Sequence, residues 1–304
     1  MVSKAVIPVA GFGTRMLPAS KSIPKEMLPV VDRPAIQYVV DEAIRAGLTE
    51  IILVTHGSKG AIEHYFDGCP ELEAHLNAKG QTTLLREVRE PLPEGVQVVS
   101  VRQGARLGLG HAVYAAHQVV GDEPFVVMLP DVLVDAGAGG EDLSIMIGHF
   151  RASGHAQVMV EAVPWARVEH YGIVELGAAA APGGNGAPRE ATLARGGTAA
   201  IRAMVEKPRP VDAPSNLAVV GRYVLPARMM SLLARTPPGA GEEIQLTDAI
   251  ATLMEHDIVE AYAMHGETFD CGSKAGYLEA ILHYALKHPE LADAARSLLD
   301  RYRT

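Results

Sequence analysis

Residues 5–29 carry glycines and cations at a spacing that suits a bound phosphate. The apolar run 5–10 predicts a buried strand, and it leads directly into Gly11 and Gly13. Residues without a Cβ let the backbone turn sharply, and consecutive loop amides can then point at an anion. Arg15 follows in the same connection. A backbone cradle with cations beside it predicts a site for a nucleoside triphosphate.

The same segment departs from two common nucleotide-binding motifs. No Gly-Lys-Ser/Thr follows the glycines, so the segment is not a P-loop. Met16 stands where a dinucleotide fingerprint has its third glycine, which leaves an NAD-dependent dehydrogenase as a weaker alternative. Pro18, Pro24 and Pro29 disfavour a regular helix over 16–30 and predict a long, stiff loop. Long structured loops in compact domains are usually functional.

Strand and helix patterns alternate through the first half of the chain. This alternation predicts βαβ units and a mainly parallel sheet, in which ligands bind at the carboxyl ends of strands. Gly11 and Asp131 both follow predicted strands. The predicted strands are 5–10, 51–55, 96–101 and 125–129, and the predicted helices are 34–47, 58–66 and 110–120.

The second half shows a more mixed pattern. Residues 177–198 are rich in Ala, Gly and Pro and predict a surface insertion. Two helices are predicted at the C-terminal end, over 278–288 and 291–302. Strands are predicted at 156–163, 171–176, 199–206 and 217–225.

Composition limits the classes of function. A formal net charge of −9 argues against a broad nucleic-acid or anionic-membrane surface. Two cysteines, Cys69 and Cys271, make no disulfide framework, and no secretory or membrane-spanning stretch is present, so we expect a cytoplasmic protein. The histidines lack zinc-site spacing, and Cys271 is expected to be a buried small residue rather than a nucleophile.

A set of ordered motifs resembles the sugar nucleotidyltransferase family, and within it the bacterial uridylyltransferase branch. The motifs are GFGTRMLP at 11–18, PKEMLPVVDRP at 24–34, RQG at 102–104, LGHA at 109–112, LPDV at 129–132, VEKP at 205–208 and EIQLTD at 243–248. The resemblance covers nearly the whole chain except 135–141 and 178–198. Each motif alone is weak, but the ordered set is specific.

The resemblance implies an α/β fold. The expected architecture is a three-layer α/β/α sandwich around a mostly parallel, Rossmann-like twisted sheet, with a smaller β region on the sugar side. A single domain would span 1–304, with a nucleotide half at 1–135, a sugar half at 136–270 and C-terminal helices at 271–304. A homo-oligomer, either a dimer or a tetramer, is expected, and two alternatives stay open for those helices: a subunit interface or a simple edge of the fold.

The resemblance also assigns roles to charged residues. Arg15, Lys25, Asp131 and Lys207 match the family's catalytic positions. Asp131 would bind Mg²⁺, and Asp270 lies near the second acidic ligand of many relatives. From the residues alone, a turn or helix-cap aspartate is the better explanation of Asp131, and the resemblance reverses that choice.

Further positions match the family's substrate contacts. Ala10, Gly11, Gly13, Thr14, Gln103 and Gly108 match nucleotide-binding positions, and Gly172, Glu206 and Lys207 match sugar-phosphate positions. A side-chain amide at Gln103 offers both a donor and an acceptor to the edge of a uracil base. Without the resemblance, Glu206 and Lys207 would be an ordinary solvated pair at a strand end.

The implied reaction joins UTP and α-D-glucose 1-phosphate to give UDP-glucose and pyrophosphate, with Mg²⁺ as cofactor. Neither a nucleic acid nor a membrane is expected as a partner. Two alternatives within the family stay open: thymine in place of uracil, and a catalytically weak regulatory homologue.

Overall fold

A nine-stranded sheet runs through the described part of the chain, in the order β5-β4-β1-β6-β11-β8-β12-β10-β9. The computed structural model describes residues 1–89, 91–177 and 193–303. Most of the insertion predicted at 177–198 lies outside the described residues. The strands are β1 Lys4–Pro8, β2 Pro29–Val30, β3 Arg33–Pro34, β4 Glu50–Thr55, β5 Gln97–Arg102, β6 Phe125–Met128, β7 Val132–Asp135, β8 Ala156–Ala162, β9 Gly172–Leu176, β10 Thr198–Glu206, β11 Leu217–Leu225, β12 Val259–Ala263 and β13 Glu267–Asp270.

Helices cover both faces of this sheet. Along β1, Ala5 and Ile7 pack on one face with α1, α7 and α10, and Val6 packs on the other with α5, α6, α8 and α9. The expected three-layer α/β/α arrangement is therefore present. The helices are α1 Ala35–Arg45, α2 Gly60–Phe66, α3 Pro70–Ala78, α4 Thr82–Arg89, α5 Leu109–Ala115, α6 His117–Val120, α7 Asp142–Ser153, α8 Met229–Leu233, α9 Leu246–Met254, α10 Lys274–Lys287 and α11 Ala292–Arg301.

Helix α1 illustrates how the pattern determines the element. Pro34 precedes the helix with an extended backbone, and Gly47, at φ 85°, follows its end. Proline suits a helix start and glycine a helix end. Ile36, Val39 and Val40 lie on one face at helical spacing and are fully buried against the sheet.

The prediction of a mostly parallel sheet is right for the first half, but the second half is mixed, since β12 is parallel to β8 and the other neighbours there are antiparallel. Strands β5, β4, β1 and β6 are parallel neighbours. Strand β11 is antiparallel to both β6 and β8, and β10 is antiparallel to both β12 and β9. Antiparallel neighbours need no crossover helix, so the βαβ pattern of the first half does not extend to these strands. The β9–β10 pair forms the smaller β region that the sequence predicts.

A two-stranded antiparallel sheet, β7 with β13, brings distant parts of the chain together. Asp270 pairs with Val132 in this sheet. The residue before β7 is Asp131, so both acidic residues that the sequence singles out are at one end of the small sheet. Among the described residues, no helix is both long and apolar enough to cross a bilayer.

Candidate active site

A cleft of about 1300 Å³ lies between the end of β6, the β9–β10 pair and the end of β13. Its volume exceeds that of a typical single-ligand pocket, so it has room for two substrates. Carboxylates and cations from both halves of the chain line it. The site residues predicted from the sequence that line this cleft are Arg15, Asp131, Gly172, Glu206, Lys207 and Asp270.

Two carboxylates and a guanidinium converge on the buried Gly272. A Cβ at Gly272 would lie 2.7 Å from Asp131 Oδ2, 2.9 Å from Asp270 Oδ1 and 2.6 Å from Arg15 Nη2. Arg15 also bridges the two acids, with its Nη2 3.6 Å from Asp131 Oδ2 and its Nη1 3.4 Å from Asp270 Oδ2. Because glycine has no side chain, these three groups can approach residue 272 closely.

Lys25 completes the charged cluster by pairing with Asp131. Burial alone would lower the pKa of Lys25, but the negative charges of Asp131 and Glu26 outweigh it and raise the pKa. Burial alone would raise the pKa of Asp131, but Lys25 and Arg15 lower it. Lysine and aspartate therefore both stay charged near neutral pH, with opposite charges in contact.

The phosphate loop predicted around Gly11 and Gly13 adopts the expected sharp turn. Gly13 has a left-handed backbone, at φ 69°, and a Cβ there would lie 3.3 Å from the stem of Lys25. The Ser20 hydroxyl donates to the Gly13 carbonyl over 2.7 Å. Three short 3-10 turns, at Thr14–Met16, Ala19–Lys21 and Lys25–Met27, replace a regular helix, as the prolines predict.

Gln103 and Gly108 lie in a second loop that borders the cleft through Leu109. The Gln103 side chain is buried, and its Nε2 lies 2.9 Å from His111 Nδ1 and 3.4 Å from the Gly108 carbonyl. Gly108 has φ 104°, and a Cβ there would lie 2.7 Å from the Ile244 carbonyl. Glycine is therefore required at 108 by the close approach of residues 243–244.

Arg106 joins this second loop to the phosphate loop. Its Nε donates to the Ala10 carbonyl over 2.7 Å, and its guanidinium lies 3.8 Å from the centre of the exposed Phe12 ring. Sequence reasoning did not single out either Arg106 or Phe12. Their contact crosses 94 residues of sequence and carries no local signal.

Glu206 and Lys207, at the end of β10, also line the cleft. Glu206 pairs with Gly172 across β10 and β9, and a Cβ at Gly172 would lie 3.2 Å from Glu206 Oε2. Lys207 Nζ is 3.2 Å from Glu206 Oε1. Lys207 has a left-handed backbone, at φ 47°, which is uncommon for a residue with a side chain and is typical of functional turns.

The donor set around Gly272 fits Mg²⁺. The cation prefers oxygen ligands and is usually held by one or two carboxylates together with substrate phosphates and water. Asp131 and Asp270 each place a carboxylate oxygen within 3 Å of one point, the position that a Cβ of residue 272 would take. Among the described residues, no group of three or more His, Cys, Asp or Glu could hold a metal without substrate phosphates and water.

Cys271, which follows Asp270 in the chain, is buried, and burial raises its pKa to about 12, so it is no nucleophile.

Comparisons with known proteins identify the family. Residues 4–287 match the family model described as nucleotidyl transferase. The UTP–glucose-1-phosphate uridylyltransferase of Escherichia coli K12 is 52% identical over 302 residues, covering 98% of this chain and 95% of that protein. That of Haemophilus influenzae is 51% identical, covering 97% of each chain.

A solved structure supports the fold in the same way. A UTP-bound UGPase from Acinetobacter baumannii has a TM-score of 0.88 and 55% identity, and the match covers 100% of both chains. Both the family model and these relatives extend over nearly the whole chain, including every charged residue of the cleft described above. The chain therefore belongs to the nucleotidyl transferase family and is a nucleotidyltransferase.

Proposed function

We propose that this enzyme transfers the uridylyl group of UTP to α-D-glucose 1-phosphate, and that it requires Mg²⁺. One observation carries the proposal: Asp131, Asp270 and Arg15 converge on Gly272 in a cleft that Glu206 and Lys207 also line. The first group suits a triphosphate with a metal, and the second suits a sugar phosphate. The uridylyltransferases that resemble this chain at about half identity support this choice of substrates.

The chemistry is a direct displacement at phosphorus. A phosphate oxygen of glucose 1-phosphate attacks the α-phosphorus of UTP and forms the new P–O bond. The bond from the α-phosphorus to the bridging oxygen breaks, and pyrophosphate leaves with that electron pair. The attacking oxygen is already ionised, so no strong general base is needed. Catalysis then consists of positioning and of neutralising the charge that develops.

Residues 10–14, Arg15 and Lys25 act on the nucleotide. The loop amides and Arg15 hold the pyrophosphate that leaves, and Lys25 neutralises charge at the α-phosphate. Gln103 and Gly108 read the base. These residues belong to the first half of the chain, so we assign the nucleotide to 1–135.

Glu206, Lys207 and Gly172 act on the sugar phosphate. Glu206 accepts hydrogen bonds from two sugar hydroxyls, and a charged acceptor makes such bonds stronger. Lys207 aims the attacking phosphate as a compact point charge. We assign the sugar to 136–270.

Asp131 would be the main carboxylate that holds Mg²⁺, and Asp270 would be the second. When bound, the cation would supply positive charge that offsets the negative charge of the phosphates. The pairing of Asp131 with Lys25 keeps the carboxylate ionised and ready to accept a cation.

The base is the part of this proposal with a close competitor. Uracil and thymine differ by one methyl group, and such a group is worth only about 1–3 kcal/mol of discrimination. A thymidylyltransferase on the same fold is therefore the second candidate. A catalytically weak regulatory homologue is the third, and the full set of charged residues in the cleft argues against it.

A grid of substrates tests the proposal. Pyrophosphate release is measured for UTP, dTTP, ATP, CTP and GTP against glucose, galactose, mannose and N-acetylglucosamine 1-phosphates. We expect UTP with glucose 1-phosphate to have the highest kcat/KM. A clearly higher value with dTTP would assign the enzyme to thymidylyl transfer, and no release with any pair would favour the regulatory homologue. A parallel assay of NAD reduction excludes or reveals dehydrogenase activity.

A further inference from the structure

Arg222, on β11, is a fully buried arginine that lies behind the metal-binding turn. Its side chain is 0% exposed. A buried guanidinium needs hydrogen-bond acceptors for its five N–H groups. The acceptors that it finds belong to α1, to β11 itself and to residues 129–132, the turn that carries Asp131.

Arg222 donates hydrogen bonds to this turn on both sides of Asp131. Its Nη1 donates to the Leu129 carbonyl over 3.1 Å, and its Nη2 donates to the Val132 carbonyl over 2.7 Å. The Leu129 amide adds a third tether, since it donates to the Gly221 carbonyl over 2.9 Å. Pro130 and Asp131 are the two residues between the carbonyls that accept these bonds.

Glu42, on α1, fixes the direction of the guanidinium. Nε of Arg222 lies 2.9 Å from Glu42 Oε1, and Nη2 lies 2.7 Å from Glu42 Oε2. A planar fork held in this way has little rotational freedom, so its remaining N–H groups point in set directions. Arg222 therefore fixes the position of the Leu129 and Val132 carbonyls relative to helix α1.

A bulge in β11 gives Arg222 this direction. The register of β11 against β8 shifts between Val219 and Tyr223, and Gly221 has a left-handed backbone at φ 84°. A Cβ at Gly221 would lie 2.7 Å from the Leu129 side chain, so only glycine fits there. Bulges of this kind re-aim a side chain, and they are common beside active sites.

Stability alone does not explain the pair. A buried ion pair repays the desolvation of its charges poorly, and apolar residues of similar volume are often as stable. We propose that Arg222 is a positioning residue, which holds the turn 129–132 so that the Asp131 carboxylate faces Asp270 across Gly272. The part of this inference that concerns Mg²⁺ rests on the proposed function, whereas the anchoring of the turn does not.

The test uses two variants and a matched control. Glu42→Met with Arg222→Met removes both charges together and keeps the side-chain volume, so no lone charge is left buried. Arg222→Lys keeps the charge but has one nitrogen, which cannot span Glu42 and both carbonyls. The control is Gln157→Leu, which replaces a buried side chain at the start of β8 and removes its part-buried hydrogen bond of 2.7 Å to Glu260.

Hydrogen exchange in the enzyme without metal measures the anchoring. We expect the amides of the peptide 129–133 to exchange at least ten-fold faster in the double variant, and by less in Arg222→Lys. The control should leave this peptide unchanged. Equal exchange in wild type and the double variant would overturn the inference.

Kinetics with UTP and glucose 1-phosphate measure the consequence. Groups that orient a metal ligand typically change affinity or activity 10–100-fold. We expect kcat of the double variant to fall within that range, its apparent Mg²⁺ activation constant to rise about ten-fold, and both substrate KM values to stay within about three-fold. Unchanged kcat and Mg²⁺ activation in a folded variant would overturn the positioning role. Failure of the wild type to turn over these substrates would instead overturn the proposed function, and the exchange result would still decide the anchoring.

Discussion

The charged residues of the cleft have local backbone features that match their tasks. Lys207 adopts φ 47°, a conformation that costs a residue with a Cβ about 1–2 kcal/mol relative to glycine. Its amide donates to the Tyr171 carbonyl over 3.0 Å, which holds the strained turn in place. We propose that lysine stands at this position, which favours glycine, because its side chain acts on the substrate.

Comparing two substitutions at Lys207 separates this side chain from its backbone. We expect Lys207→Gly to be more stable than Lys207→Ala by about 1 kcal/mol, because glycine adopts this conformation freely. Both variants should lose the same activity. Urea unfolding and initial rates measure the two quantities. Equal stability of the two variants would show that the turn is unstrained.

Arg15 and Lys207 should serve different substrates. Lys207→Ala should raise the KM for glucose 1-phosphate more than that for UTP. Arg15→Ala should chiefly lower kcat, by about 100-fold or roughly 3 kcal/mol, because charge grows on the leaving pyrophosphate. Steady-state kinetics in both directions measure this, with Arg86→Ala on the surface of α4 as a control. The same kinetic pattern in both variants would contradict the division.

Sequence reasoning identified most charged residues of this site but not the residues that shape and support it. Arg15, Asp131 and Glu206 stand in recognisable motifs, and the structure brings them to one cleft. Gly272 and Arg222 act through contacts with residues far away in the chain. Neither hydrophobic periodicity nor a local motif reveals such contacts. The one local signal is that Gly272 follows Asp270 by two residues.

At the scale of elements, the small sheet β7–β13 aligns the two acids, and α10 secures it. His283 and Lys287 of α10 both contact the Asp135 carboxylate at the end of β7. Burial alone would raise the pKa of Asp135, but the hydrogen bonds from Lys287 and His283 lower it to about 2. The ionised carboxylate therefore tethers the helix to the sheet.

Acid should weaken this tether. A carboxyl group with a depressed pKa stabilises the fold above its ordinary pKa, and the contribution is lost as the pH falls from about 4 towards 2. We expect the free energy of unfolding of the wild type to exceed that of Asp135→Asn by about 1 kcal/mol at pH 6, allowing for screening by water. At pH 3 the difference should be smaller. Denaturant unfolding at pH 6, 4 and 3 measures the gap, with the exposed Asp122→Asn as a control. A gap that stays constant would argue against the tether.

The sequence predicts some long elements well, but it misses others, such as the twelve-residue α7, and most short ones. Strand β11 occupies the predicted 217–225, and α1 occupies most of 34–47. Strands β7 and β13 have four residues each and were not predicted. So short an apolar run has no clear period, and these two strands are stable only because they pair across about 135 residues of sequence.

At the scale of the whole molecule, an apolar face remains on the C-terminal helices. Helix α11 buries none of its described residues, and α10 buries only Ala280. The exposed leucines among the described residues of 271–304 are Leu278, Leu282, Leu291, Leu298 and Leu299. Clustered exposed apolar side chains are typical of protein interfaces. We therefore propose that 271–304 contribute to a homo-oligomer interface.

Light scattering after size exclusion tests this interface. We expect wild type to be a dimer or a tetramer, and Leu278→Glu with Leu282→Glu to shift it to a smaller species. Leu84→Glu, which changes an exposed leucine of α4, should leave the mass unchanged. A monomeric wild type would contradict the proposal, as would a double variant with the wild-type mass.

The most direct test of the whole account is product formation in the wild type and in Gly272→Ala. A methyl group at 272 would lie within 3 Å of Asp131, Asp270 and Arg15, and would fill the space where metal and phosphates are proposed to meet. We measure ³¹P NMR spectra of UTP and glucose 1-phosphate with Mg²⁺ and each enzyme. The account predicts equal amounts of UDP-glucose and pyrophosphate from the wild type, and a rate at least about 100-fold lower from a folded Gly272→Ala. A wild type that forms no UDP-glucose, or a Gly272→Ala variant as fast as the wild type, would contradict it.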